Sequence, residues 1–202
     1  MSATERKPAI EPFVISRVFD APRELVFKAF TEPERLKQWW GPKGFKVVAQ
    51  SMDLRPGGMY HFELRAADGN TMWARFVYRE IAAPERIVYV NSFSNEKGGL
   101  TRHPMSLDWP LEMLTTLLFE DVGEGRTKLT VTSIAINESD DERATFDAAH
   151  PSLTQGWTGQ LDKLDVYLAD VKNQKATVCG SARDPGPSGE TGSRVSEKAR
   201  AE

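Results

Sequence analysis

The chain has 202 residues and nearly balanced charge, 26 Lys and Arg against 29 Asp and Glu, for a formal net charge of -3. That balance offers no general electrostatic reason to bind nucleic acid or an anionic membrane surface, so the expected partner is a small molecule or a protein. Cys179 is the only cysteine, and no apolar run reaches signal-peptide length near the start or the roughly 18 residues of a membrane span elsewhere; these features favour a cytoplasmic protein with one domain.

Residues 11–19 alternate, with Phe13, Ile15 and Arg17 on one side and Val14, Ser16 and Val18 on the other, which predicts a first strand. Asp20 stands where a helix cap is wanted, and Pro22 fits the first turn, where a missing N–H does no harm; Leu25, Val26, Ala29 and Phe30 make one face. Pro33 opens a second short helix whose Leu36, Trp39 and Trp40 share a face, with Gly41 as its left-handed end and Pro42 as its stop.

From Phe45 the pattern turns to period two. Residues 45–54, 58–66, 71–81, 86–93, 113–121 and 127–136 are predicted strands, separated by breakers such as Arg55-Pro56-Gly57-Gly58 and Asp68-Gly69-Asn70. Connections this short favour antiparallel pairing. The stretch 94–112 is a long loop carrying His103, Met105, Leu107 and Trp109, and a loop of that length inside a domain tends to be functional; it is the natural lid. Asn137 or Ser139 caps a short helix whose Asp140-Asp141-Glu142 start is explained by the helix dipole without calcium.

In 152–171, Trp157, Leu161, Leu164, Leu168 and Val171 recur at helical spacing as one apolar stripe. Burying them is worth on the order of 10 kcal/mol as an upper bound, too much to leave in water. The helix therefore needs a broad apolar partner, and the strands before it supply one. The expected fold is α+β, a curved seven-stranded antiparallel sheet wrapped around a long terminal helix, with two short helices after the first strand. Residues 1–11 are expected to be a flexible start, 12–172 the domain, and 173–202, with no aromatic, Leu or Ile, a disordered tail.

This order of elements, with the motifs Trp39-Trp40-Gly41-Pro42, Asp53-Leu54-Arg55-Pro56-Gly57-Gly58 and Ala83-Pro84-Glu85-Arg86-Ile87-Val88, resembles the activator-of-heat-shock-protein-ATPase homologue branch of the SRPBCC, or START-like, superfamily. The resemblance covers about 12–171. It implies a helix-grip fold with a hydrophobic cavity between sheet and terminal helix. Members of the superfamily bind lipids or other apolar molecules, some cyclise polyketides, and the eukaryotic namesake stimulates a chaperone ATPase through an additional domain, for which the residues before Pro12 are expected to leave no room.

The residues themselves also predict a cavity, since a helix about 10 Å wide does not fill a strongly curved sheet of this size unless large side chains do. Tyr60 and Phe62 lie on one face of their strand, and Leu117 and Phe119 on one face of theirs. With Trp40, Trp73, Phe93, Trp109, Trp157 and Leu161 they are the candidate ligand-contacting set, although filling the core is the competing role for each. Arg75 joins the set only if Trp73, Arg75 and Val77 point inward, where the guanidinium requires an anionic ligand; if Ala74, Phe76 and Tyr78 point inward, it is a surface residue, which avoids a buried unpaired charge.

His61, His103 and His150 show no metal spacing, and no metal or cofactor is expected. His61 is expected on the surface, and His103 at the mouth within reach of Asp108 or Glu112. The expected function is binding of an apolar small molecule, lipid-like or aromatic, without a defined catalytic group. The alternatives are a protein-docking module, using the outer sheet face and the 94–112 loop, and a cavity enzyme of cyclase type.

Overall fold

The computed structural model describes residues 11–180, with 175–180 as helix backbone alone. Of the expected flexible start at 1–11 and disordered tail at 173–202, residues 1–10 and 181–202 lie outside the described residues.

Strand β1 (Phe13–Phe19) leads into helices α1 (Arg23–Thr31) and α2 (Pro33–Trp39), then into β2 (Phe45–Met52), β3 (Met59–Ala66), β4 (Thr71–Ala82), β5 (Arg86–Ser94), β6 (Glu112–Asp121) and β7 (Thr127–Ile136). The chain closes with α3 (Asp140–Ala148) and α4 (His150–Gly180). All seven strands form one sheet in the order β1-β7-β6-β5-β4-β3-β2, and every neighbouring pair is antiparallel. The architecture is an α+β helix grip. Its order follows from the turns: β2 to β7 are joined in sequence and form a meander, while β1 returns to pair with β7, so α1 and α2 must bridge the sheet's two edges.

One face of the sheet grips α4. Its inward rows include Tyr60, Phe62 and Leu64 on β3, Phe76 and Tyr78 on β4, Leu117 and Phe119 on β6, and Leu129 and Val131 on β7, all buried in one core with Leu161, Leu164 and Leu168 of α4. A bulge between Tyr78 and Glu80 lets both Tyr78 and Ile81 join that core, and such bulges also add curvature. Trp157 and Val171 pack against it partly buried, which is the stripe the spacing predicted, with Tyr167 added.

Two local expectations are corrected. Asp20 does not cap α1, whose N-cap is Pro22 without a side-chain bond; the Asp20 carboxylate and carbonyl instead both accept from Lys172 Nζ at 2.7 Å, tying the end of β1 to α4. Pro151 sits in the first turn of α4, just after the break from α3 at Ala149, where its missing N–H is harmless. The last helix runs past Lys172 to Gly180, since elongation of a formed helix needs only one more bond per residue and no Gly or Pro intervenes. At α3 the sequence signal holds: Ser139 and Glu142 form a reciprocal capping box.

Candidate functional site

The two ends of the gripped face differ. At one end α1 and α2 fill the space: Phe30 meets Trp39 at 4.8 Å and Phe119 at 5.5 Å between ring centroids, and Phe27 meets Phe119 at 5.4 Å. A void of about 10 Å³ lies among these side chains, bounded by Phe30, Leu36, Tyr78, Leu117 and their neighbours. At the other end, where β1 and β6 begin and β5 and β7 finish, neither α1 nor α2 reaches the lining, to which α3 and the first turns of α4 contribute instead. A cavity of about 340 Å³ occupies that end.

Its wall is mainly aromatic. Phe13 of β1, Phe76 of β4, Tyr89 and Phe93 of β5, and Phe146 of α3 contribute rings, and Trp40, Trp109 and Trp157 complete the enclosure. Trp40 stands edge-on to Trp157 at 5.8 Å and to Phe76 at 5.5 Å, fixing the junction of α2, sheet and α4. The polar lining is Asn91 and Ser92 of β5, His103, Thr115 of β6, Ser133 of β7 and Gln160 of α4.

The long loop between β5 and β6 borders the cavity through His103, Trp109 and Pro110. It is held at both ends. Arg75 on β4 donates from Nη1 to the Gly98 carbonyl at 2.7 Å and from Nε to Ser92 Oγ at 3.2 Å. Arg102 pairs with Glu142 of α3 and approaches the Trp109 carbonyl at 3.4 Å. Inside, the His103 ring meets Phe93 edge-on at 4.7 Å, and its Nδ1 accepts the Met105 N–H at 3.0 Å. Burial pushes the His103 imidazole below its usual pKa, so it is neutral at pH 7.

Of the residues singled out from sequence, Trp40, Phe93, Trp109 and Trp157 line the cavity. Tyr60, Phe62, Leu117, Phe119 and Leu161 do not; each is at most 1% exposed in the packed core, on the inward face as read but away from the open end. Trp73 is corrected to the outer face, where it stacks on His61 at 4.7 Å, because Phe76 and Tyr78 take the inward positions of β4. Arg75 shares that outer row, and its role is to brace the loop. Asp108 and Glu112 do not line the cavity with His103.

Sequence reasoning missed Asn91, Thr115 and Ser133, and a signal for them existed. Each sits at an inward position between apolar inward neighbours: Tyr89 and Phe93, Met113 and Leu117, Val131 and Ala135. A polar residue in an inward row needs a hydrogen-bond partner, which marks where the sheet faces something other than packed core. Among the described residues no group of three or more His, Cys, Asp or Glu converges in a metal-binding arrangement, and no helix is long and apolar enough to cross a membrane.

A curved antiparallel sheet gripping a terminal helix, packed at one end and hollow at the other, defines a cavity-bearing helix-grip domain. The model of the family described as Activator of Hsp90 ATPase homolog 1-like protein matches residues 20–169, and the chain belongs to that family. Among solved structures it is similar to a Staphylococcus epidermidis protein, with 28% identity over 86% of this chain and 95% of that one and a TM-score of 0.62. It is also similar to a protein from Arthrobacter aurescens, with 21% identity, coverage of 84% and 93% and a TM-score of 0.66. The AHSA1 protein of Silicibacter pomeroyi shares the fold at 19% identity, with coverage of 79% and 98% and a TM-score of 0.60. No curated protein matches the chain in sequence.

Proposed function

We propose that this protein binds an apolar small molecule in the cavity between its sheet and α4. The observation that carries this reading is the open end itself: about 340 Å³ of space walled by aromatic side chains, within the size range of small-molecule sites. A sheet that needed only to bury α4 would fill both ends alike. The loop carrying His103 and Trp109 is the border through which a ligand enters, and its two arginine braces set how readily it opens.

A neutral apolar dye tests the reading. N-phenyl-1-naphthylamine should bind with enhanced emission and raise the melting temperature, because a ligand that binds only the folded state stabilises it by mass action. Ala74→Phe places a ring in the cavity and should abolish both effects in a protein that still folds. Dye binding that survives this substitution unchanged would put the dye elsewhere and defeat the reading.

The second reading, a protein-docking module of the kind the family's name describes, is favoured by one observation. Met105 and Leu107, at the tip of the same loop, are 85% and 76% exposed, although isolated apolar residues on a surface are common. Stimulation of a chaperone ATPase that is lost on Met105→Ser with Leu107→Ser, but kept on Ala74→Phe, would decide for docking.

A further inference from the structure

The polar groups of the cavity specify more than a hollow. The Thr115 and Ser133 hydroxyls face each other at 2.8 Å across β6 and β7, and Thr115 Oγ1 donates to Asn91 Oδ1 at 2.8 Å. A hydroxyl has one proton to give, so Thr115, having donated to Asn91, accepts the proton of Ser133. This relay occupies the carbonyl end of the Asn91 amide. Its NH2 has no partner among the described residues, on a side chain that lines the cavity.

Two further cavity residues hold unsatisfied atoms. Gln160 Oε1, an acceptor, and Trp109 Nε1, a donor, are buried without a hydrogen-bond partner. Buried polar groups are normally paired, and a group supplied by a ligand removes the deficit.

No group at the wall carries a charge. The lining contains no Asp, Glu, Lys or Arg. The cations around it are engaged elsewhere: Lys163 Nζ donates to the Gly41 carbonyl at 2.9 Å, Arg102 pairs with Glu142, and Arg75 lies on the outer face. Burial keeps the His103 imidazole and the Tyr89 phenol neutral. An anionic ligand entering this space gives up its hydration without meeting a counter-ion. A neutral hydroxyl or carbonyl gives up far less and accepts from the Asn91 amide.

The rest of the wall fixes the shape, since its rings pair edge-on or stacked and present faces and edges to flat molecules. We infer that the cavity selects a neutral, flat aromatic molecule bearing a hydroxyl or carbonyl group, and discriminates against a carboxylate of the same shape. This rests on the cavity-binding reading above and adds the chemical class of the ligand.

Three probes of one ring system separate the two claims: naphthalene, 2-naphthol and 2-naphthoate, titrated into the full chain at pH 7 and followed by tryptophan emission and calorimetry. Naphthol, neutral at this pH as a tyrosine phenol is, should bind about tenfold more tightly than naphthalene, the factor expected of about 1.4 kcal/mol from one well-placed hydrogen bond. Naphthoate should bind at least about tenfold more weakly than naphthol, since its charge is desolvated without a partner. Asn91→Leu should erase the advantage of naphthol over naphthalene, and Thr115→Val, which breaks the relay but keeps the shape, should reduce it.

Naphthoate binding as tightly as naphthol, or naphthol no more tightly than naphthalene, would overturn the inference while naphthalene binding preserved the cavity reading. Failure of all three to bind would overturn both. The order measured on the unaltered chain decides the matter even where a variant folds poorly.

Discussion

Glu142 shows how one side chain serves both a helix and the border of the cavity. Its backbone N–H donates to Ser139 Oγ, its carboxylate accepts the Ser139 N–H at 2.8 Å, and the same carboxylate pairs with Arg102 from the loop. The hydrogen bond from Arg102, then that from the Ser139 backbone, holds its pKa below the usual carboxylate value. A carboxyl whose pKa falls on folding stabilises the folded state above its unfolded pKa of about 4.3, and that stability is lost as pH falls through the lowered folded value. Melting curves of the natural chain and Glu142→Gln should therefore differ at pH 7 and converge in acid. Arg102→Met should move the acid loss upward in pH, because the first of the two partners is gone. Equal differences at pH 7 and pH 3 would show that Glu142 contributes nothing through its charge.

At the scale of elements, α4 is where sequence and structure agree most closely, and there the stripe can be tested one residue at a time. Leu164 is 0% exposed and Val166 is 64% exposed, two residues apart on the same helix. Leu164→Ala should cost about 2–5 kcal/mol, while Val166→Ala should be neutral or slightly stabilising. Lys163 is not a neutral control, since its ammonium bonds the Gly41 carbonyl and burial lowers its pKa. Gly156 is exposed in the same helix and an added Cβ would meet nothing within 4 Å, so Gly156→Ala should stabilise by about 1 kcal/mol. Denaturant midpoints read all three; a destabilised Gly156→Ala would mean that the glycine serves a close approach the structure does not contain.

The strands, both short helices after β1 and the inward face of β3 were legible because each rests on local periodicity or on a breaker in the sequence; the cap of α3 was narrowed to Asn137 or Ser139, and the reciprocal bond from Glu142 emerged only in the structure. The division of the inward face into a packed and a hollow end was not legible. Phe119 and Phe93 read alike as inward aromatics, yet α1 lies over Phe119 while Phe93 lines the cavity beside His103 of the loop. Which end a helix covers depends on how the chain crosses from β1 to β2, a long-range property that no window of residues encodes. The facing of β4 was open for a related reason. Both of its rows carry aromatics, and only the pairing of Phe76 with Tyr60 and Tyr78 with Tyr89 settles which row joins the core.

For the molecule as a whole, the proposed binding reading and the unequal ends together imply that stability and binding would reside in different places. Phe119 is 1% exposed beneath α1, and removing its ring should cost about 3–5 kcal/mol through the cavity left in a packed core. A domain with the usual 5–15 kcal/mol of stability still folds after that loss, with the hollow end intact. Trp109 lies on the loop that borders the hollow end, partly buried, its Nε1 unsatisfied and its ring 5.9 Å from Phe146. Trp109→Ala removes wall from the site but less from the main core. Phe119→Ala should thus lower the denaturant midpoint sharply and leave the affinity of the folded protein for N-phenyl-1-naphthylamine within about twofold, whereas Trp109→Ala should weaken the dye by about tenfold or more at a smaller loss of stability. Measuring dye affinity well below each variant's melting temperature keeps the unfolded fraction from masking the result. A Phe119→Ala protein that loses dye binding as fully as Trp109→Ala would mean that the two ends are one cooperative site, and that α1 and α2 shape the cavity from a distance.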